Sequence, residues 1–159
     1  MQTLNFSFNY SIGCFSDGLS LAELQLRDEA IIAAKNAYAP YSKFSVGASV
    51  LLNDGSIVSG NNQENGAYPS GLCAERVALF AAQSAHPNKK IVQMAVVAFF
   101  EGEITENPIT PCGSCRQVML ESSNRQKKGF KLLLFGRTQT IRINDSSQLM
   151  PLPFVFANS

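Results

Sequence analysis

The sequence predicts an α/β fold in which helices pack on a mixed sheet of about five strands. Three observations carry this prediction. Some stretches place apolar residues at helical spacing, whereas others alternate or run as short β-branched blocks. The two kinds follow one another in the order α-β-β-α-β-α-β-β, which packs as a layered sandwich. At 159 residues, 45% of them apolar, the chain is long enough to bury one real core and is most simply a single domain.

Residues 1–19 read as an irregular or strand-like extension, and residues 20–159 as one domain. The first helix lies in "SLAELQLRDEAIIAAKNAYA". Ser20 is its N-cap, Glu23 three positions on completes a capping box, and Pro40 ends it. "FSVGASVLL" and "SIVSG" are two strands joined by a hairpin turn at Asp54-Gly55. "NNQENGAYPSG" is a polar loop in which Gly66, Pro69 and Gly71 oppose regular structure. An apolar helix then runs from Ala74 to about Ser84, followed by the buried strand "IVQMAVVAFF" and the loop "EGEITENPITP". A third helix spans Gly113 to about Ser122, and "FKLLLF" and "TQTIRI" complete the sheet.

Composition excludes several classes. A net charge of +1 gives no reason to expect a polyanion partner, and the Lys127-Lys128-Lys131 cluster reads as a solvated loop. No apolar run approaches the ~18 residues of a membrane span. The N-terminus has no positively charged start and no continuous apolar stretch, so it does not read as a signal peptide, and a cytoplasmic location is expected. Of the four cysteines, Cys112 and Cys115 form a C-x-x-C, Cys73 stands well upstream and Cys14 apart. In a reducing compartment such uneven spacing favours a metal over a disulfide framework.

Cys73 and Cys112 both sit where a loop becomes a helix. A spacing of three in the first turn of a helix brings the Cys112 and Cys115 sulfurs to one face, with Pro111 fitting the first helical position. A helix, a strand and a loop separate Cys73 from this pair, so a crossover brings both helix starts to one edge of the sheet. Three thiolates suit Zn²⁺ and leave its fourth position open, which is the catalytic pattern; a structural site closes with four protein ligands. Cys14 could supply that fourth ligand, and His86, the only histidine, reads as a solvated loop residue. Three thiolates exceed the charge of one zinc ion. Helix N-termini and Arg76 could offset the excess, although Arg76 could equally be an ordinary solvated helix arginine. Glu75, two residues from the first ligand, could exchange protons beside the metal, or merely complement the helix dipole.

With "CAERVA" (73–78) and "PCGSCRQV" (111–118) both present, the chain resembles the small homotetrameric, zinc-dependent cytidine deaminases. "YAPYSKFSVGA" (38–48), "GNNQENGAY" (60–68) and "LMPLPF" (149–154) extend the likeness, which runs from about Leu21 to Phe154. The resemblance implies a three-layer α-β-α sandwich holding one zinc per subunit on Cys73, Cys112 and Cys115. It implies hydrolysis of cytidine and 2'-deoxycytidine to uridine and 2'-deoxyuridine plus ammonia, a pyrimidine-salvage reaction. Zinc-activated water attacks C4 while Glu75 shuttles protons. Asn62 and Glu64 then match the pair that recognises the ribose hydroxyls, and Phe44 the aromatic against the pyrimidine. The backbone around Ala74 and the carbonyl of Thr110 would contact the base and the leaving ammonia. Tyr68 and Phe154 would contribute to a neighbouring subunit's pocket in a homotetramer. For Phe44, Tyr68 and Phe154 the residues alone allow buried core packing, and for the Asn62–Glu64 loop plain turn chemistry.

Asn61 and Gln63 depart from the small and aliphatic residues that commonly flank Asn62, and "GAYPSGLC" carries an unusual proline and glycine. These departures lie on the substrate side and leave the metal motif intact. They keep a related aminopyrimidine nucleoside such as blasticidin S as an alternative substrate. A noncatalytic zinc module is the alternative from another class. A polynucleotide substrate is disfavoured, since neither a basic track nor stacking aromatics beyond the pocket are evident.

Overall fold

The computed structural model describes residues 1–15 and 17–156. Its elements are β1 (Ser11–Cys14), α1 (Leu21–Lys35), β2 (Phe44–Leu52), β3 (Ile57–Asn61), α2 (Ala74–Ala85), β4 (Ile91–Phe100), β5 (Glu103–Ile104), α3 (Gly113–Gln126), β6 (Lys131–Phe135) and β7 (Gln139–Ile143). One mixed sheet runs in the order β1-β7-β6-β4-β2-β3, with β5 paired to β4. Among these strands of the described residues, only β4 and β6 pair in parallel.

The period-two pattern of the central strands sorts side chains to two faces. Ala48, Val50, Met94, Val96, Leu132 and Leu134 meet Ala78, Leu79 and Ala82 of α2 and Met119 of α3. The intervening Ala95, Val97, Leu133 and Phe135 meet Leu26 and Ala30 of α1 on the opposite face. The result is the expected three-layer sandwich, with α2 and α3 together on one side and α1 alone on the other. Two glycines set the closeness of the layers. A Cβ at Gly47 would stand 1.9 Å from the Ala30 carbonyl oxygen of α1, and one at Gly60 2.5 Å from the Ala78 nitrogen of α2.

The sheet is larger than the five strands expected. Part of the N-terminal stretch pairs antiparallel with β7, and Phe15 packs edge-on against Phe135 at 6.3 Å. The loop after β4 folds back as β5, because Glu101 and Gly102 both take positive φ and so form a tight two-residue hairpin turn.

Helix boundaries also differ. The capping box at Ser20 and Glu23 forms as expected. However, α1 stops at Lys35 with Asn36 as its C-cap, ahead of Pro40, and the Asn36 side chain donates to the Ile32 carbonyl. Pro111 lies outside α3, since Cys112 takes the N-cap and Gly113 the first helical position. The third helix continues past Ser122 to Gln126, where Lys127 ends it in the left-handed conformation. Within the loop expected to be irregular, Tyr68–Ser70 forms one 3₁₀ turn that tolerates Pro69 near its start, where no proline N–H is required. The basic cluster is divided, because Lys131 pairs with the buried Glu23 at 2.5 Å. Among the described residues, no helix is long and apolar enough to cross a membrane.

Candidate functional site

Topology brings the two cysteine-bearing helix starts together. β3 and β4 are both antiparallel to β2, which lies between them, so they run in the same direction. Helix α2 follows β3, helix α3 follows β5 just beyond β4, and both return over the same face. Both N-termini therefore sit at the carboxyl end of the sheet, where open α/β folds place their ligands.

Cys73 is the N-cap of α2 and Cys112 the N-cap of α3, each with extended backbone and neither making a side-chain cap hydrogen bond. An N-cap normally offers oxygen to the first free amides. With sulfur in that place, the positive ends of two helix dipoles are directed at thiolates. The Cys73 and Cys112 sulfurs are 3.8 Å apart, and those of Cys112 and Cys115 3.6 Å. All three lie within 4.8 Å of one another. Tetrahedral zinc with bonds of about 2.3 Å to sulfur separates its ligands by roughly 3.8 Å, so the cluster fits zinc.

No fourth ligand joins the cluster among the described residues. Cys14 lies on β1, at the sheet edge opposite β3, so it does not complete a four-cysteine site. His86 is the C-cap of α2, at the far end of the helix from Cys73. All four cysteines are free thiols.

The electrostatics follow from this crowding. The neighbouring Cys115 thiol, together with Arg76, pulls the Cys73 thiol down to about 5, against the opposing effect of burial. The contact with Cys73, together with burial, pushes the Cys115 thiol up. Three sulfurs this close do not all ionise without a cation among them. The Arg76 guanidinium reaches Cys73 Sγ at 3.7 Å, so it is no solvated helix arginine. Its Nε is buried without a partner among the described residues. Glu75, 6% exposed at the second position of α2, has its carboxyl pushed up chiefly by burial and next by the Cys73 charge.

Beside the cluster opens a cleft of about 600 Å³, bordered by Cys73 and Arg76 and, among others, by Tyr41, Asn62, Glu64 and Tyr68. Asn62 and Glu64 are fixed by the segment leading into β2. Asn62 accepts from the Val46 amide at 2.7 Å and donates to the Phe44 carbonyl at 2.9 Å. One Glu64 oxygen accepts from the amides of Tyr41, at 2.9 Å, and Ser42, at 3.3 Å. The Ser42 side chain and these two amides hold the Glu64 carboxyl below the usual carboxylate range. Each side chain keeps spare capacity: a second N–H on Asn62 and the other oxygen on Glu64.

Residues 22–128 match the family described as the cytidine and deoxycytidylate deaminase zinc-binding region. The chain belongs to this family.

Curated members of the deaminase family include the cytidine deaminase of Halalkalibacterium halodurans, 44% identical over 126 residues that cover 79% of this chain and 89% of the relative. The cytidine deaminase of Mycobacterium tuberculosis is 38% identical over 120 residues, 76% of this chain and 82% of the relative. Among solved structures, the cytidine deaminase of Burkholderia pseudomallei superposes with a TM-score of 0.70 at 40% identity, covering 82% of this chain and 98% of that one. The family is zinc-binding, and the Cys73, Cys112 and Cys115 cluster is suited to the ion.

Of the remaining expected site residues, Tyr68 alone borders the cleft. Phe44 opens β2, is half-buried and packs against Phe100 with ring centroids 6.3 Å apart; it is not among the residues bordering the cleft. Ala74 is fully buried at the start of α2, which leaves only its backbone for the site. Thr110 is exposed just ahead of Pro111. Tyr68 is 78% exposed and meets Tyr41 edge-on at 6.4 Å. Phe154 is 73% exposed, and its carbonyl accepts from Gln117 of α3. Sequence reasoning did not single out Tyr41 and Ser42. The available signal was the Pro40-Tyr41-Ser42 turn, whose amides hold Glu64.

Proposed function

We propose that this chain hydrolyses cytidine and 2'-deoxycytidine to the corresponding uridines and ammonia. The observation that carries the reading is the joining of three cysteine sulfurs to a buried carboxyl at two helix starts, beside a cleft bordered by an amide and a carboxylate.

Cys73, Cys112 and Cys115 would hold one zinc ion, which when bound supplies the Lewis acidity that makes water nucleophilic near neutral pH. Arg76 and the two helix N-termini offset the surplus negative charge of three thiolates. Glu75 is the proton carrier. Burial raises its proton affinity, and it accepts a proton from water and gives it to N3 of the pyrimidine as oxygen adds to C4. It then takes the remaining proton from the hydroxyl now on C4 and delivers it to the amine as the C4–N bond breaks, so that water and cytidine become uridine and ammonia. Asn62 and Glu64 orient the sugar, the free Glu64 oxygen accepting from a hydroxyl and the spare Asn62 N–H donating to one. The Phe44 ring, the Ala74 backbone and the Thr110 carbonyl are assigned to the base and the leaving amine, following the family pattern.

The working assembly is proposed to be a homotetramer. The exposed rings of Tyr68 and Phe154 support this, being poorly placed in water and well placed to cover a neighbour's cleft. Free thiols at a metal site fit a reducing compartment, which favours the cytoplasm.

The test is ultraviolet monitoring of cytidine conversion by purified protein, with zinc measured on the same sample. Turnover that scales with zinc content is expected, and zinc-loaded protein that leaves cytidine and deoxycytidine unchanged would overturn the proposal. A substrate panel including blasticidin S checks the nucleoside preference.

A further inference from the structure

From Asn61 to Glu64 the polar side chains divide into two sets with different partners. Asn62 and Glu64 bond to the segment leading into β2 and border the cleft. Asn61 and Gln63 take other hydrogen-bond partners, although Gln63 also borders the cleft. Gln63 Nε2 donates to Asn61 Oδ1 at 2.6 Å, and Asn61 Nδ2 donates to the Ala33 carbonyl at 3.0 Å. Ala33 lies in the last turn of α1, and its carbonyl also accepts from the Asn36 amide at 3.0 Å, so Asn61 takes its second acceptor site.

We propose that Asn61 and Gln63 are positioning residues, a two-amide relay that ties the sugar-binding segment to the end of α1 and so sets where Asn62 and Glu64 stand. This inference rests on the deaminase function assigned to the cleft.

The fold alone does not call for this pair. Gln63 is already held through its backbone, its N–H and C=O pairing with Leu72 at 2.9 and 3.0 Å. Its side chain is exposed, so neither burial nor packing selects an amide there. Backbone pairing fixes the path of the segment, with Leu72 on one edge and Tyr38, bonded to the Asn62 carbonyl and the Glu64 amide, on the other, and the side-chain relay adds a further tie on its tilt. Tilt decides the reach of side chains at alternate positions, because Asn62 and Glu64 swing together when the strand rotates. The β2 lead-in holds the segment on the even-numbered side and the relay holds it on the odd-numbered side. A segment tethered on both sides presents its sugar-binding groups preorganised, which lowers the ordering cost of binding.

The relay acts on substrate affinity and leaves the proton chemistry at Glu75 untouched. Steady-state kinetics with cytidine on the zinc-loaded protein tests it, using Q63M, N61V and the double variant. Q63M keeps the side-chain length and removes the donor at an exposed position. It should raise KM about three- to tenfold, the worth of one hydrogen bond, with kcat within about twofold and the unfolding midpoint unchanged. N61V should raise KM at least as much. The double variant should match the larger single effect, since breaking either link already breaks the relay. An unchanged KM in Q63M would overturn the proposal, even if N61V fails to fold. So would KM factors that multiply in the double variant, or a loss confined to the unfolding midpoint. Failure of the wild-type protein to convert cytidine would instead refute the assigned function, and the relay's role with it.

Discussion

The thiolate corner and the Asn62–Glu64 wall border one cleft but are held by different means. The corner is rooted in the core. Cys73 and Cys112 cap helices whose first turns carry the fully buried Ala74 and Cys115, with Ala78, Leu79 and Met119 behind them. The wall is half-exposed and is held by hydrogen bonds to the backbone of residues 41–46. One region is fixed by packing and offers groups whose chemistry no other residue type duplicates. The other is fixed by a network and offers the groups proposed to bind the sugar. Changes in the corner should therefore abolish reaction, whereas changes in the wall should grade affinity.

The strongest way to break this contrast is Cys115→Ala. The variant should lose zinc and all measurable turnover, and its unfolding midpoint should become insensitive to added zinc while the wild-type midpoint rises. Retained zinc with turnover would show that the corner does not depend on its third thiolate. Next in size is Glu64→Gln, which leaves the amides of Tyr41 and Ser42 facing a weaker acceptor and removes the charge proposed to meet a sugar hydroxyl. A KM increase of about 10- to 100-fold is expected, with a much smaller change in kcat. A fall in kcat at constant KM would erase the distinction between corner and wall.

The smallest expected effect comes from a carboxylate in neither region. Burial alone would raise the Glu23 carboxyl, but Lys131 and Ser20 outweigh it and hold it below its ordinary value of 4.5. A depressed carboxyl contributes stability above its unfolded-state pKa, and that contribution is lost as pH falls through the lower folded value. Glu23→Gln should thus cost about 1 kcal/mol at pH 7, measured by urea unfolding, and the gap from wild type should close on acidification below pH 4. Cytidine kinetics should be unchanged, so a KM shift in this variant would show that stability alone moves the wall.

The corner was the more legible region because its signal lies in residue type. A C-x-x-C, a third cysteine at a loop-to-helix junction and a glutamate two residues on state their chemistry in one dimension, and the hydrophobic pattern placed all three helices and the five main strands. The boundaries were less legible. Pro40 looked like the end of α1, yet Asn36 ends it four residues earlier by bonding back to the last turn. Pro111 fits the first position of a helix that actually begins at Gly113. The short β5 depends on Glu101 accepting a positive φ, which residue type alone does not announce. The wall was the least legible. Asn62 and Glu64 were visible as candidates, but their anchoring groups are main-chain amides and carbonyls that every residue carries. Only the folded chain shows which of them face the loop.

In the proposed mechanism, Glu75 moves protons beside zinc held by three cysteines. The most direct test of this role is zinc content and cytidine turnover measured together on Glu75→Gln. One zinc per chain, an unchanged fold and KM, and a loss in kcat of about 10²- to 10⁴-fold are expected. Turnover near the wild-type rate with full zinc would contradict it.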